Sequence, residues 1–151
     1  MYIGVDIFGP KISIGLVGEN GSLSFPSSFP VDPETDCETV VIDLIFSIKT
    51  ITETVPMELF NDYPEAIGIT IHGTIDEDTG VILDCENCSL ERVNLKKRLQ
   101  RNFEIPIHIG SHDNAMAQAA KDIGAQTMVN ASVIAAGLVC KYSPNNTPED
   151  W

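Results

Sequence analysis

The chemistry this chain could perform rests on a few polar residues placed at the ends of apolar runs. Asp6 closes the run Tyr2-Ile-Gly-Val-Asp6 and stands just ahead of Phe8-Gly9-Pro10-Lys11. An acid at a strand end, beside a glycine turn where backbone can approach a ligand, is a common way to hold nucleotide phosphates and Mg²⁺. The same residues equally describe a surface hairpin with one solvated aspartate. Two later segments repeat the arrangement, Ile67-Gly-Ile-Thr-Ile-His-Gly-Thr-Ile-Asp76 and Ile105-Pro-Ile-His-Ile-Gly-Ser-His-Asp113. Each is an apolar run ending in polar and glycine residues, so the three ends are expected along one edge of a sheet. Asp113 also starts a helix, and spacing alone favours a helix cap for it. His72 reads as a loop residue and His108, inside its run, as structural.

Four cysteines are a further candidate for chemistry. Cys85 and Cys88 form C-x-x-C, while Cys37 and Cys140 stand alone. A zinc site needs a second pair at suitable spacing, which is absent. A thioredoxin-like pair would open a helix, and Leu90 and Val93 place the next helix later. Ordinary reduced thiols are the expectation, with no metal site.

The elements that must position these residues follow from periodicity. Residues 2–7, 12–17 and 22–28 read as three antiparallel strands, with Asn20-Gly21 in the second turn. From Thr39 to Thr54, Val40, Val41, Leu44, Ile45, Ile48 and Ile51 recur at helical spacing, capped by Asp32 or Thr35. Ala66 to Ile71 is an almost continuous apolar run, as a strand covered on both faces should be. A short strand over Gly80–Leu83 follows the turn at Asp76–Thr79. Val93, Leu95, Leu99 and Phe103 mark a second helix, and Ile105–Ile109 a further strand. Asn114–Ile123 is an alanine-rich third helix, capped by Asp113 or Asn114. Ala131–Tyr142 is one more strand candidate, and Ser143–Trp151 is expected to be disordered.

With the three polar strand ends in order, the chain resembles the ROK family of sugar kinases and sugar-responsive repressors. That family carries D-x-G-G-T-K near its start, G-x-P-G-x-V/I-D in the middle and N-D-A-N-A-A-A near the end of its first lobe. The resemblance runs from Met1 to about Gly124. It implies an α/β fold, one lobe of the actin and hexokinase-like (ribonuclease H-like) ATPase architecture, with a mixed sheet and flanking helices. Residues 1–124 would be the N-terminal lobe and 125–142 the start of a second lobe, with 143–151 a tail. In the resembled kinases that second lobe opens with a phosphate loop and runs for a further domain's length. Here Val133-Ile-Ala-Ala-Gly-Leu-Val139 occupies its place, which implies that most of the nucleotide-binding lobe is missing.

The resemblance also implies roles. Asp113 takes the position of the catalytic base, and Asp6, Gly9 and Lys11 those that hold ATP and Mg²⁺. Gly73, Thr74, Asn87 and His112 take sugar-binding positions, although Asn87 alone reads as a turn residue. Four positions depart from the family pattern. Phe8 replaces a glycine and Pro10 a threonine, which adds bulk and removes an amide donor and a hydroxyl where phosphate would bind. His72 replaces proline and His112 replaces asparagine, which changes the hydrogen-bonding set at the sugar. The expected function is therefore that of a ROK-type sugar kinase, phosphorylating a hexose or N-acetylated amino sugar, but inactive or incomplete alone. A non-catalytic sugar-binding, regulatory or scaffold protein is the alternative, and an open reading frame without a function of its own is a third.

Composition limits the partners. In 151 residues, 22 acids against 9 bases give a net charge of −13, which disfavours nucleic acid and anionic membranes. No run of about 18 apolar residues suggests a membrane span, and the start lacks a signal peptide's features, so a cytoplasmic location is expected. The apolar run Val129 to Cys140, without a second lobe to cover it, predicts an exposed patch and self-association, or a partner on that face.

Overall fold

The computed structural model describes residues 1–54, 63–76, 78–85, 89–116 and 131–142. Three strands open the chain: β1 (Tyr2–Phe8), β2 (Lys11–Val17) and β3 (Leu23–Pro30). Gly9 and Pro10 make a two-residue loop between β1 and β2, with Phe8 opposite Lys11. Gly9 has φ of 52°. A positive φ followed by proline is the sign pattern of a II′ hairpin turn, whose twist matches the strands. Helix α1 (Cys37–Thr54) comes next, then β4 (Ala66–Ile71), β5 (Gly73–Asp76) and β6 (Val81–Cys85). Helix α2 (Leu95–Gln100), β7 (Ile107–Ser111), a helix α3 described over 112–116, and helix α4 (Ala131–Leu138) complete the order. A 3₁₀ turn, Val139–Tyr142, extends α4.

The main sheet has the order β3-β2-β1-β4-β7. Its β1–β2 and β2–β3 pairs are antiparallel, while β1–β4 and β4–β7 are parallel. A separate two-stranded sheet pairs β5 with β6. This is the mixed α/β architecture expected from the sequence, and Gly73 and Thr74 open strand β5. No helix among the described residues is long and apolar enough to cross a membrane.

Strand pleating gives the sheet two different faces. Ile3, Val5, Ile7, Ile12, Ile14, Leu16, Ile67, Ile69, Ile71 and Ile107 point to one face, where α1 contributes Val40, Val41, Leu44, Ile48 and Ile51 and α2 contributes Leu95 and Leu99. Asp36, not Asp32 or Thr35, caps α1, accepting from Thr39 N at 3.3 Å and from Thr39 Oγ1 at 2.6 Å. Asn94 caps α2 through Lys97 N, so Val93 lies ahead of that helix. Gln100 at its end donates to the Phe103 and Ile105 carbonyls and accepts from Ile107 N, which anchors the entry into β7. β7 accordingly starts two residues later than the sequence suggested.

The opposite face carries α4. Gly15, Gly4 and Gly68 sit side by side on β2, β1 and β4 in direct register. A Cβ on Gly4 would strike the Val133 carbonyl and one on Gly68 the Ala136 carbonyl, while one on Gly137 would lie 2.6 Å from Val17 Cβ. This row of bare backbone lets α4 lie against the sheet, burying Val133, Ile134, Leu138, Val139 and Cys140. The strand expected over Ala131–Tyr142 is therefore a helix, and the patch expected over 129–140 is buried from Val133 to Cys140. Burial pushes the Cys140 thiol far above its ordinary pKa.

Candidate functional site

The three parallel strands β1, β4 and β7 end together, as ligand-gathering strand ends of open α/β sheets do. Asp6 lies two residues before the end of β1 and is 5% exposed. Its register partner on β4 is Thr70, whose hydroxyl donates to Asp6 Oδ1 at 2.7 Å. His72 follows β4 directly, and its Nε2 stands 3.2 Å from both carboxylate oxygens. His112 follows β7, with Nδ1 3.5 Å from Asp6 Oδ1. That nitrogen is fully covered and makes no hydrogen bond among the described residues. The two imidazoles stack, centroids 3.6 Å apart and planes 22° apart, and the half-exposed Phe8 ring lies tilted on His72 at 4.3 Å.

Above this cluster opens a cavity of about 310 Å³, lined by Phe8, Ile71, His72, Gly73, Thr74, Asp84, His112 and Asp113. Gly73 is required where β5 passes β6, since a Cβ there would strike the Asp84 carbonyl. Asp113 is exposed, in the first turn of α3. It is not the cap expected: Ser111 Oγ accepts from Asn114 N at 3.3 Å and holds the helix start.

Of the residues singled out in the sequence, Gly73, Thr74, His112 and Asp113 share the cavity and Asp6 lies against its histidines. Gly9 and Lys11 are in the β1–β2 turn, outside the lining. Asn87 lies outside the described residues. Cys85 is disulfide-bonded and Cys37 and Cys140 are free, so the expectation of reduced thiols throughout is corrected at Cys85. Sequence reasoning missed Asp84, Thr70 and the pairing of His72 with Asp6. Thr70 and His72 do carry a signal, standing in the same strand-end segment as Gly73.

The mixed sheet, with its polar residues gathered at the parallel strand ends, defines one lobe of the actin-like ATPase architecture. The ROK family model matches residues 2–137, and the chain belongs to the ROK family. No curated protein matches the sequence. Among solved structures, a ROK family glucokinase from Streptomyces griseus, in complex with glucose and AMPPNP, is 25% identical with a TM-score of 0.68, covering 82% of this chain and 36% of that one. A ROK hexokinase from Thermus thermophilus is 24% identical with a TM-score of 0.64, covering 79% and 37%. A ROK family transcriptional regulator, homologue of the E. coli MLC protein, is 19% identical with a TM-score of 0.70, covering 80% and 30%. The chain thus spans about a third of the length of these structures.

Proposed function

We propose that this chain is the sugar-binding lobe of a ROK-type sugar-kinase-like protein, that it takes a hexose or N-acetylated amino sugar, and that alone it does not turn that sugar over. The observation that supports the reading is the cavity at the parallel strand ends. Its volume is in the range of small-molecule sites, and it joins apolar Phe8 and Ile71 to convergent polar groups. Thr74 can donate to and accept from sugar hydroxyls, while Asp84 and Asp113 accept. His112 supplies the ring that stands where the family has asparagine. Asp113 takes the place of the base for the attacking hydroxyl, at the open rim of the cavity.

ATP and Mg²⁺, which the family resemblance implies, fit the β1–β2 turn poorly. Pro10 has no N–H, and its carbonyl already accepts from Val31 N at 2.6 Å. Phe8 projects a ring where a glycine backbone would meet phosphate, and the Asp6 carboxylate faces two imidazole nitrogens rather than the oxygen ligands Mg²⁺ takes. Phosphoryl transfer depends mainly on positioning and charge stabilisation, so a base without this phosphate machinery gains little. The test is a coupled ADP-release assay with a panel of hexoses and N-acetylated amino sugars, beside calorimetric sugar titration. Sugar binding without ADP release is expected. Sugar-dependent ADP release that disappears in Asp113→Asn would make the chain a kinase and overturn the proposal.

A further inference from the structure

The cluster beneath the cavity carries chemistry beyond sugar binding. We propose that Asp6, His72 and His112 form a binding site for one first-row transition-metal ion, with Zn²⁺ as its probe. This inference stands whether or not a sugar binds.

The geometry points to an ion. Bonds of 2.0–2.1 Å in a tetrahedral zinc site put ligand atoms about 3.3–3.4 Å apart. His72 Nε2 is 3.2 Å from each Asp6 oxygen and His112 Nδ1 is 3.5 Å from Oδ1. One donor atom from each of the three residues lies within 4.8 Å of the other two. A covered imidazole nitrogen without a hydrogen bond is costly unless something meets it, and a metal ion would. Thr70 donates to the same carboxylate, the kind of outer contact that fixes a ligating group.

The donor set selects the metal. Mg²⁺ and Ca²⁺ take oxygen ligands, whereas imidazole suits zinc and its neighbours. Where the family resemblance places a proline and an asparagine beside the strand-end aspartate, this chain has His72 and His112. Together they add two nitrogen donors to that one carboxylate. Both rings line the cavity while Asp6 lies behind them, so an ion held between the rings and the carboxylate would lie just beneath the cavity, with one coordination position beyond the three protein ligands. A water or a hydroxyl of a bound polyol can occupy it. The net charge of −13 favours approach of a cation.

The test uses the full chain, stripped with a chelator and dialysed. Zn²⁺ affinity is read by competition with a chromophoric chelator, and Co²⁺ is added for its absorption spectrum. One ion per chain is expected, with the visible bands of a low-coordinate nitrogen and oxygen site and no thiolate charge-transfer band. Thr70→Val should weaken binding by roughly 10–100-fold, as loss of an orienting partner does. His72→Ala and His112→Ala should each weaken it further. The wild-type cobalt spectrum needs no variant, so misfolding of a mutant leaves the proposal testable. Substoichiometric binding, a thiolate band assigning the ion to the cysteines, unchanged affinity in the histidine variants, or equal competition by Mg²⁺ would each overturn it.

Discussion

His72 and His112, forty residues apart in sequence, stack face to face against the carboxylate of Asp6. Each follows a parallel strand, β4 or β7, and strand register alone brings them together. Asp6 is buried at the base of the pair, with Thr70 as its hydroxyl donor. Thr70→Val keeps the shape but removes that donor. It should destabilise the fold by about 1–3 kcal/mol, the cost of leaving a buried acceptor short of a partner. Urea denaturation measures this, and a midpoint matching wild type would show that Thr70 does not hold the carboxylate.

The glycine row under α4 gives a second prediction. Gly68→Ala should cost about 1–3 kcal/mol or more, because the new methyl meets the Ala136 backbone, which cannot move independently of its helix. Gly110→Ala is the control. A Cβ there meets only Val139 side-chain atoms, at 3.8 and 3.9 Å, and should be tolerated. Equal thermal midpoints for the two variants would contradict the docking of α4 on this face.

These glycines also explain what the sequence revealed and what it hid. The β1–β2 hairpin, the apolar stripe of α1 and the doubly buried β4 were legible because each has a local pattern of its own. Residues 131–142 were not: an apolar run without polar alternation has no period to separate helix from strand. The deciding feature is the groove made by Gly4, Gly15 and Gly68, more than sixty residues upstream at its nearest. Asp6, Gly73 and Asp113 could be placed at one edge because each stands at a strand end. The contacts of Asp6 with Thr70 and His72 span more than sixty residues, and no local pattern records them. The same is true of Asp84, which reaches the cavity only through the β5–β6 pairing.

His108 gives a pH dependence. Desolvation by burial, with a smaller contribution from Lys96, lowers its pKa to about 4 in the folded chain. The unfolded value is near 6.5, so the neutral ring is favoured by the fold and protonation favours unfolding. This contribution is complete above about pH 6.5. It is lost as pH falls toward 4, by up to about 1.4 kcal/mol per pH unit. Denaturation midpoints from pH 7.5 to 4 should show His108→Gln losing less stability than wild type across that window. Parallel curves would contradict the assignment.

The most direct test of the sugar-binding account is an NMR titration of the ¹⁵N-labelled full chain with hexoses and N-acetylated amino sugars. At least one sugar should produce saturable shifts at the Gly73, Thr74, His112 and Asp113 amides, with little change in the distant β3 strand. Absence of saturable shifts for every sugar at millimolar concentration, or shifts confined to residues away from the cavity, would contradict it.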